Sequence, residues 1–358
     1  MYTSSSPYAF QVWKGASDKV LFYFQGGGAC WNEKSSSEDK PACYTTISFE
    51  YIKPDYGIFN RSALENKYRD YTLVYVLVCS GDLGMGDAAR DYNDSDGHPV
   101  EQRGLKNVRS VLDWTVEQQK AGNLAANLND LVVIGCSSGA VSAQSWGSEV
   151  VKSLNWAKAS VIPDSFAPVF PDGIEGELLK ELGFCESGLL SDELYAKCIN
   201  EELLIADVSE ENIMSVGPAV PYGFLQAKAD STMMQMYKLV ALSYRKNPYL
   251  SERSFLTKVN NVFERFSKNS NFISYLVSDE THCFTPRPEY FTADANGGFG
   301  NGLNTTQDMV RPWIERYSLA KGETVSSVCE GKQTEKVPRR EPLESCDTNY
   351  VNQVYEQP

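Results

Sequence analysis

Gly135-Cys136-Ser137-Ser138-Gly139 fits the pattern G-x-S-x-G. Such a pentapeptide presents a serine hydroxyl as a nucleophile when it joins a strand to a helix through a sharp turn. Both flanks are of the required kind. Leu131-Val132-Val133-Ile134 is a short apolar run of buried-strand type. Ala140-Val141-Ser142-Ala143-Gln144-Ser145-Trp146-Gly147 supplies small residues suited to a helix lying close against a sheet. The chemistry this allows is nucleophilic attack by Ser137 on an acyl carbon.

A serine hydroxyl is a poor nucleophile near neutral pH and needs a base within hydrogen-bond reach, oriented by a third group. Histidine, with an ordinary pKa near ~6.5, is the natural base. The chain has only two, His98 and His282. His282 follows the apolar run Phe272-Ile273-Ser274-Tyr275-Leu276-Val277, while His98 sits in a polar Asn-Asp-Ser-Asp-Gly-His-Pro stretch read as a solvated loop. The acid should stand between serine and histidine, the Ser, Asp, His order of α/β-hydrolases. Asp230, just after a strand-like run at 222–227, ranks first; Asp164, after a strand-like run at 160–162, ranks second; Asp279 ranks third.

Acyl transfer passes through a tetrahedral oxyanion that needs preorganised donors. The backbone N–H of Ser138 is one, and the loop Gly26-Gly27-Gly28 after an early strand is placed to supply the others. Trp31 follows this loop, either lining the pocket or packing as an ordinary tryptophan.

The elements that must position these residues alternate. Apolar strand runs at 20–24, 72–78, 131–134, 160–162, 222–227 and 272–277 are separated by helical periodicities near 101–120, at 233–244 and at 255–266. Residues 80–96 read as a Gly/Asp-rich loop, 305–319 as a final helix, and 174–215 as an acidic helical cap or lid containing Cys185 and Cys198. Strands alternating with helices predict an α/β fold, α/β-hydrolase-like, with a mostly parallel central sheet and helices on both faces. The expected organisation is one esterase domain over 1–320 and a polar tail over 321–358.

The formal charge of −14 argues against nucleic acid, which needs clustered Lys and Arg. No apolar stretch approaches the ~18 residues of a membrane span. None of the nine cysteines forms C-x-x-C, so with two histidines a zinc site is not expected. Spacing permits short loops closed by Cys30 with Cys43, Cys185 with Cys198 and Cys329 with Cys346. Together with sequons at Asn60, Asn93 and Asn304, these tilt toward an oxidising, secretory environment. The start lacks the basic and apolar regions of a signal peptide, and an earlier segment is expected to precede it.

The motifs Gly26-Gly27-Gly28-Ala29-Cys30-Trp31, Val78-Cys79-Ser80-Gly81-Asp82 through Gly86-Asp87, Gly135-Cys136-Ser137-Ser138-Gly139-Ala140, Gln226-Ala227-Lys228-Ala229-Asp230-Ser231 and Thr281-His282-Cys283 resemble those of the pectin acetylesterase family, in order, from about residue 7 to 320. The resemblance implies an α/β-hydrolase fold, a secreted or endomembrane location and no cofactor. It implies a triad of Ser137, Asp230 and His282, with oxyanion donors at Gly27, Gly28 and Ser138. Plant members remove acetyl groups from cell-wall pectin, and an animal member removes a fatty acyl group from a protein. The expected substrate is therefore an acetylated polysaccharide handled by a monomer, with lipid or protein deacylation, or a catalytically silent binding protein, as the alternatives. Two departures stand out. Ser138-Gly139-Ala140 replaces the family's common Ala-Gly-Gly, and Gly28-Ala29 stands where a Trp often follows the glycine pair.

Overall fold

The computed structural model describes residues 7–37, 41–44, 56–64, 66–94, 96–277, 280–287 and 290, with the backbone of short strands at 325–326, 328–329 and 354–355. The chain divides into two compact units: Met1–Lys53, Asp70–Ala157 and Asp172–Asn212 in the first; Pro54–Arg69, Lys158–Pro171 and Ile213–Pro358 in the second.

In the first unit β1 (Gln11–Trp13) pairs antiparallel with β3 (Tyr71–Val76), and β2 (Ala16–Phe24) runs parallel to both β3 and β6 (Asp130–Cys136). Leu21 faces Leu73 on one side and Val132 on the other. The apolar runs at 20–24, 71–76 and 131–136 are buried throughout, as parallel strands covered on both faces must be. Tyr23 stacks on Tyr75 with ring centroids 5.1 Å apart. Helices α1 (Glu33–Ser37) and α2 (Gly104–Lys120) lie between strands, and α3 (Ser138–Ser153) follows β6. Its small residues allow burial of nearly every position from Ser138 to Val151.

One expectation changes here. The 80–96 stretch is not wholly loop. β4 (Ala88–Asn93) and β5 (Pro99–Gln102) form an antiparallel hairpin, and α2 starts at Gly104 rather than near 101. The hairpin is half-exposed and alternates in burial, so it carries charged residues and lacks the apolar run that marks the other strands. The 174–215 region is helical as expected, in α4 (Glu175–Glu181), α5 (Asp192–Ile199) and α6 (Ile205–Ser215). Its Cys185–Cys198 disulfide forms, as does Cys30–Cys43.

In the second unit β7 (Ala159–Asp164), β8 (Tyr222–Ala227) and β9 (Phe272–Val277) are parallel neighbours. The short β11 (Val328–Cys329) pairs parallel with β9, and β10 (Val325–Ser326) pairs antiparallel with β12 (Val354–Tyr355). Between β8 and β9 come α7 (Ser231–Ser243) and α8 (Glu252–Phe266). Phe224 of β8 packs within 5.6 Å of Phe263, Phe266 and Phe272, ring centre to ring centre, fastening α8 to the sheet. The expected 305–319 helix, the sequon at Asn304 and the Cys329–Cys346 pairing fall outside the described residues. Among the described residues no helix is long and apolar enough to cross a membrane.

Candidate active site

Ser137 stands alone between β6 and α3. Its backbone has φ 58° and ψ −125°, a conformation that costs a non-glycine residue roughly 1–3 kcal/mol. The neighbouring glycines explain how the turn closes. A Cβ on Gly135 would lie 1.9 Å from the Gly139 carbonyl oxygen, and a Cβ on Gly139 would lie 2.2 Å from that of Phe24. The methyl of Ala140, a departure from the family pattern, is fully buried. The strained serine is the geometry expected of a nucleophile elbow.

The glycine loop arrives against this turn. The backbone N–H of Gly27 donates to Ser138 Oγ at 2.8 Å. Gly28 is bridged to Cys43. The bonds of that bridge, Tyr44 N–H to Gly27 O and Ala29 N–H to Ala42 O, leave the Gly28 amide out of them. The Cys30–Cys43 disulfide closes the same bridge, and Cys30 N–H donates to Gly81 O. Trp31 is buried, its backbone N–H donating to Ser35 Oγ.

The Ser80–Asp87 segment is braced by Asp82, which is fully buried. Its carboxylate accepts from Ser80 Oγ, Gly84 N–H and Gly104 N–H, the last at the start of α2. Burial pushes this carboxyl above the ordinary range, against the pull of those donors. Ser142 Oγ and Trp146 Nε1 of α3 donate to Leu83 O and Gly84 O. The motif containing Asp82 was visible in the sequence, but its bracing role was not.

In the second unit Asp230 and His282 meet. His282 Nδ1 lies 2.8 Å and 3.0 Å from the two Asp230 oxygens. Asp230 also accepts from Met233 N–H, capping α7, and from Gln226 Nε2. An Nδ1 proton directed at this carboxylate leaves the Nε2 lone pair available as a base. Nε2 is buried and has no hydrogen-bond partner among the described residues. Asp164, the second-ranked acid, makes no hydrogen bond to the ring. Its carboxylate accepts from Phe284 and Thr285 N–H, Thr285 Oγ1 and Ser165 Oγ. Asp279 lies outside the described residues. His98 is exposed on the hairpin, 3.5 Å from Asp94.

The residues beside the nucleophile and the imidazole, Cys136 and Cys283, are each disulfide-bonded. Sequence spacing, which points only to pairs closing short loops, misses both. Cys79 is a buried free thiol whose pKa burial raises.

No curated protein matches the chain significantly. Among solved structures, two crystal forms of the Wnt deacylase Notum from Drosophila are similar. One shows 14% identity, a TM-score of 0.55, and coverage of 90% of this chain and 91% of that one. The other shows 13% identity, a TM-score of 0.54 and the same coverage. The likeness is one of fold: a mostly parallel α/β architecture. Residues 3–176, which include the glycine loop and the elbow, match the pectinacetylesterase family model, so the resemblance to that family carried by the motifs holds.

Proposed function

We propose that the chain is a serine carboxylic-ester hydrolase that removes O-acetyl groups from a cell-wall polysaccharide of pectin type. The observation that carries this reading is the strained backbone of Ser137 at the end of β6, flanked by glycines that admit no side chain. The Asp230–His282 pair supports it, because a base held in one tautomer by a buried carboxylate is what a serine nucleophile needs. The family match over residues 3–176 supports the ester and the acetylated polysaccharide.

In this mechanism His282 Nε2 takes the Ser137 proton as Oγ attacks the acyl carbonyl. The oxyanion is held by the backbone N–H groups of Gly28 and Ser138, with Gly27 joining once it leaves Ser138 Oγ. The tetrahedral intermediate collapses, the C–O bond to the sugar breaks, and the imidazolium returns its proton to the departing alcohol. Water then attacks the acyl-enzyme with His282 as base, releasing acetate. Asp230 keeps Nδ1 protonated and stabilises the imidazolium. A secreted location fits the two disulfides at 30–43 and 185–198.

The deciding experiment is acetate release across a panel of acetylated polysaccharides, with Ser137→Ala as control. The variant should stay folded and release none; unchanged release would remove the reading. A fatty deacylase is the second reading, favoured by the fold likeness to a Wnt deacylase. Acyl-ester turnover rising with chain length would establish it. A silent binding protein would instead leave native protein unlabelled by a serine-reactive phosphonate.

A further inference from the structure

Immediately after His282, the three successive backbone amides of Cys283, Phe284 and Thr285 are all taken by one two-residue platform at the end of β7. Cys283 N–H donates to Ser165 Oγ at 2.8 Å. Phe284 N–H donates to Asp164 Oδ2 at 3.0 Å, and Thr285 N–H to the same oxygen at 2.7 Å. Thr285 Oγ1 adds a bond at 2.6 Å, and Ser165 Oγ donates to Asp164 Oδ1 at 2.9 Å. Both Asp164 and Ser165 are fully buried.

This arrangement is expensive for a loop that merely connects. A buried carboxylate loses its hydration and is tolerated only when donors surround it. Ser165 has φ 62° and Cys283 has φ 65°, left-handed values that non-glycine residues adopt at a cost. The platform is itself anchored to the sheet, because Ser165 N–H donates to Leu225 O. The same region holds the acid. Gln226 accepts from Ala167 N–H through Oε1 and donates to Asp230 Oδ2 through Nε2. The end of β7 therefore refers both members of the Asp230–His282 contact to one rigid strand terminus.

We propose that Asp164, working through Ser165, is a positioning residue that fixes the backbone after His282 so that its Nδ1 stays on the Asp230 carboxylate. Asp164 does not touch the imidazole and takes no proton in the reaction. It sets where the ring stands. The catalytic part of this inference rests on the hydrolase reading above; the geometric part does not.

The test uses the full chain in a His98→Gln background, where His282 is the sole histidine and the proton on its Nδ1 can be followed by low-field NMR. Asp164→Asn removes the charge and leaves one acceptor oxygen where two now serve Ser165 Oγ, Phe284 N–H, Thr285 N–H and Thr285 Oγ1. It should broaden or abolish the Nδ1–H resonance and lower kcat for an aryl acetate by about 10²-fold, the scale expected for a displacement of ~1 Å, while leaving KM unchanged. Ser165→Gly keeps the left-handed backbone, removes the hydroxyl that holds Cys283 N–H, and should act in the same direction. A merely structural role would lower thermal stability yet leave the resonance and kcat of the folded protein intact, and that result in Asp164→Asn overturns the proposal. Should Asp164→Asn fail to fold, Thr285→Val removes a single donor; it should weaken the resonance and kcat together, and no change in either overturns the proposal. If Ser137→Ala retains full turnover, the hydrolase reading falls, and the resonance alone still decides the role of Asp164.

Discussion

Gly27 gives its backbone N–H to the side-chain oxygen of Ser138, 111 residues away in the chain. An amide expected to serve an oxyanion is thus already engaged by a hydroxyl that stands where the family commonly has alanine. For Gly27 to bind a reacting oxygen, this bond has to exchange. Ser138→Ala removes the competitor, and since a hydrogen bond of this kind is worth about 1 kcal/mol net, kcat for an aryl acetate should rise several-fold, to at most about tenfold. Steady-state kinetics check it. A fall in kcat would show instead that the Ser138 hydroxyl donates to the oxyanion.

The backbone at Ser137 suggests a comparison between two inactive variants. Ser137→Ala keeps a Cβ at φ 58°, whereas Ser137→Gly relieves it. After allowance for the greater freedom of glycine in the unfolded chain, Ser137→Gly should be the more stable of the two by about 1 kcal/mol. Thermal or urea unfolding of both proteins measures the difference, and equal stabilities would mean the turn is not strained.

Asp230 serves two structural masters, the imidazole and the first turn of α7. Asparagine caps helices as well as aspartate does. Asp230→Asn should therefore keep its stability while losing about 10⁴-fold in kcat, through loss of the tautomer-holding carboxylate. Asp230→Ala should lose a further ~1 kcal/mol of stability with the cap. Unfolding curves and ester turnover on the same preparations separate the two effects.

Asp87 accepts from Lys106 Nζ and Arg103 Nη1, each at 2.9 Å. Burial acts to raise its carboxyl, but the two hydrogen bonds and the two positive charges outweigh that and hold it below the ordinary range. A carboxyl lower in the folded than in the unfolded chain contributes stability above the unfolded pKa of about 3.9 and loses it as pH falls through the folded value. Asp87→Asn should accordingly melt below wild type at neutral pH and converge with it in acid. Added salt should narrow the neutral gap. A gap independent of pH would exclude the charge as its origin.

Much of the scaffold is legible in the sequence. The runs 20–24, 131–134, 222–227 and 272–277 stand out because each strand is covered on both sides and carries no alternation. The β4–β5 hairpin does not stand out, because exposed Ala89, Asp91 and Asn93 alternate with half-buried Ala88, Arg90 and Tyr92 and no apolar run forms. The choice between Asp230 and Asp164 was not decidable from spacing. Both follow strands, and only the path of the chain 121 residues later determines that Asp164 meets the Thr285 amide rather than the imidazole. The same limit hid the Gly27–Ser138 bond and the oxidised state of Cys136 and Cys283. Local pattern reveals elements, whereas contacts between distant side chains depend on packing that no window of sequence contains.

The bridge closed by Cys30 and Cys43 has a practical corollary. Material made in a bacterial cytoplasm, where thiols stay reduced, would have a slack glycine segment and would also lack the disulfides of Cys136 and Cys283 beside Ser137 and His282. Such a preparation should fold and react sluggishly with acyl substrates. Its turnover should recover on air oxidation or on export to the periplasm, in step with the disappearance of titratable thiols.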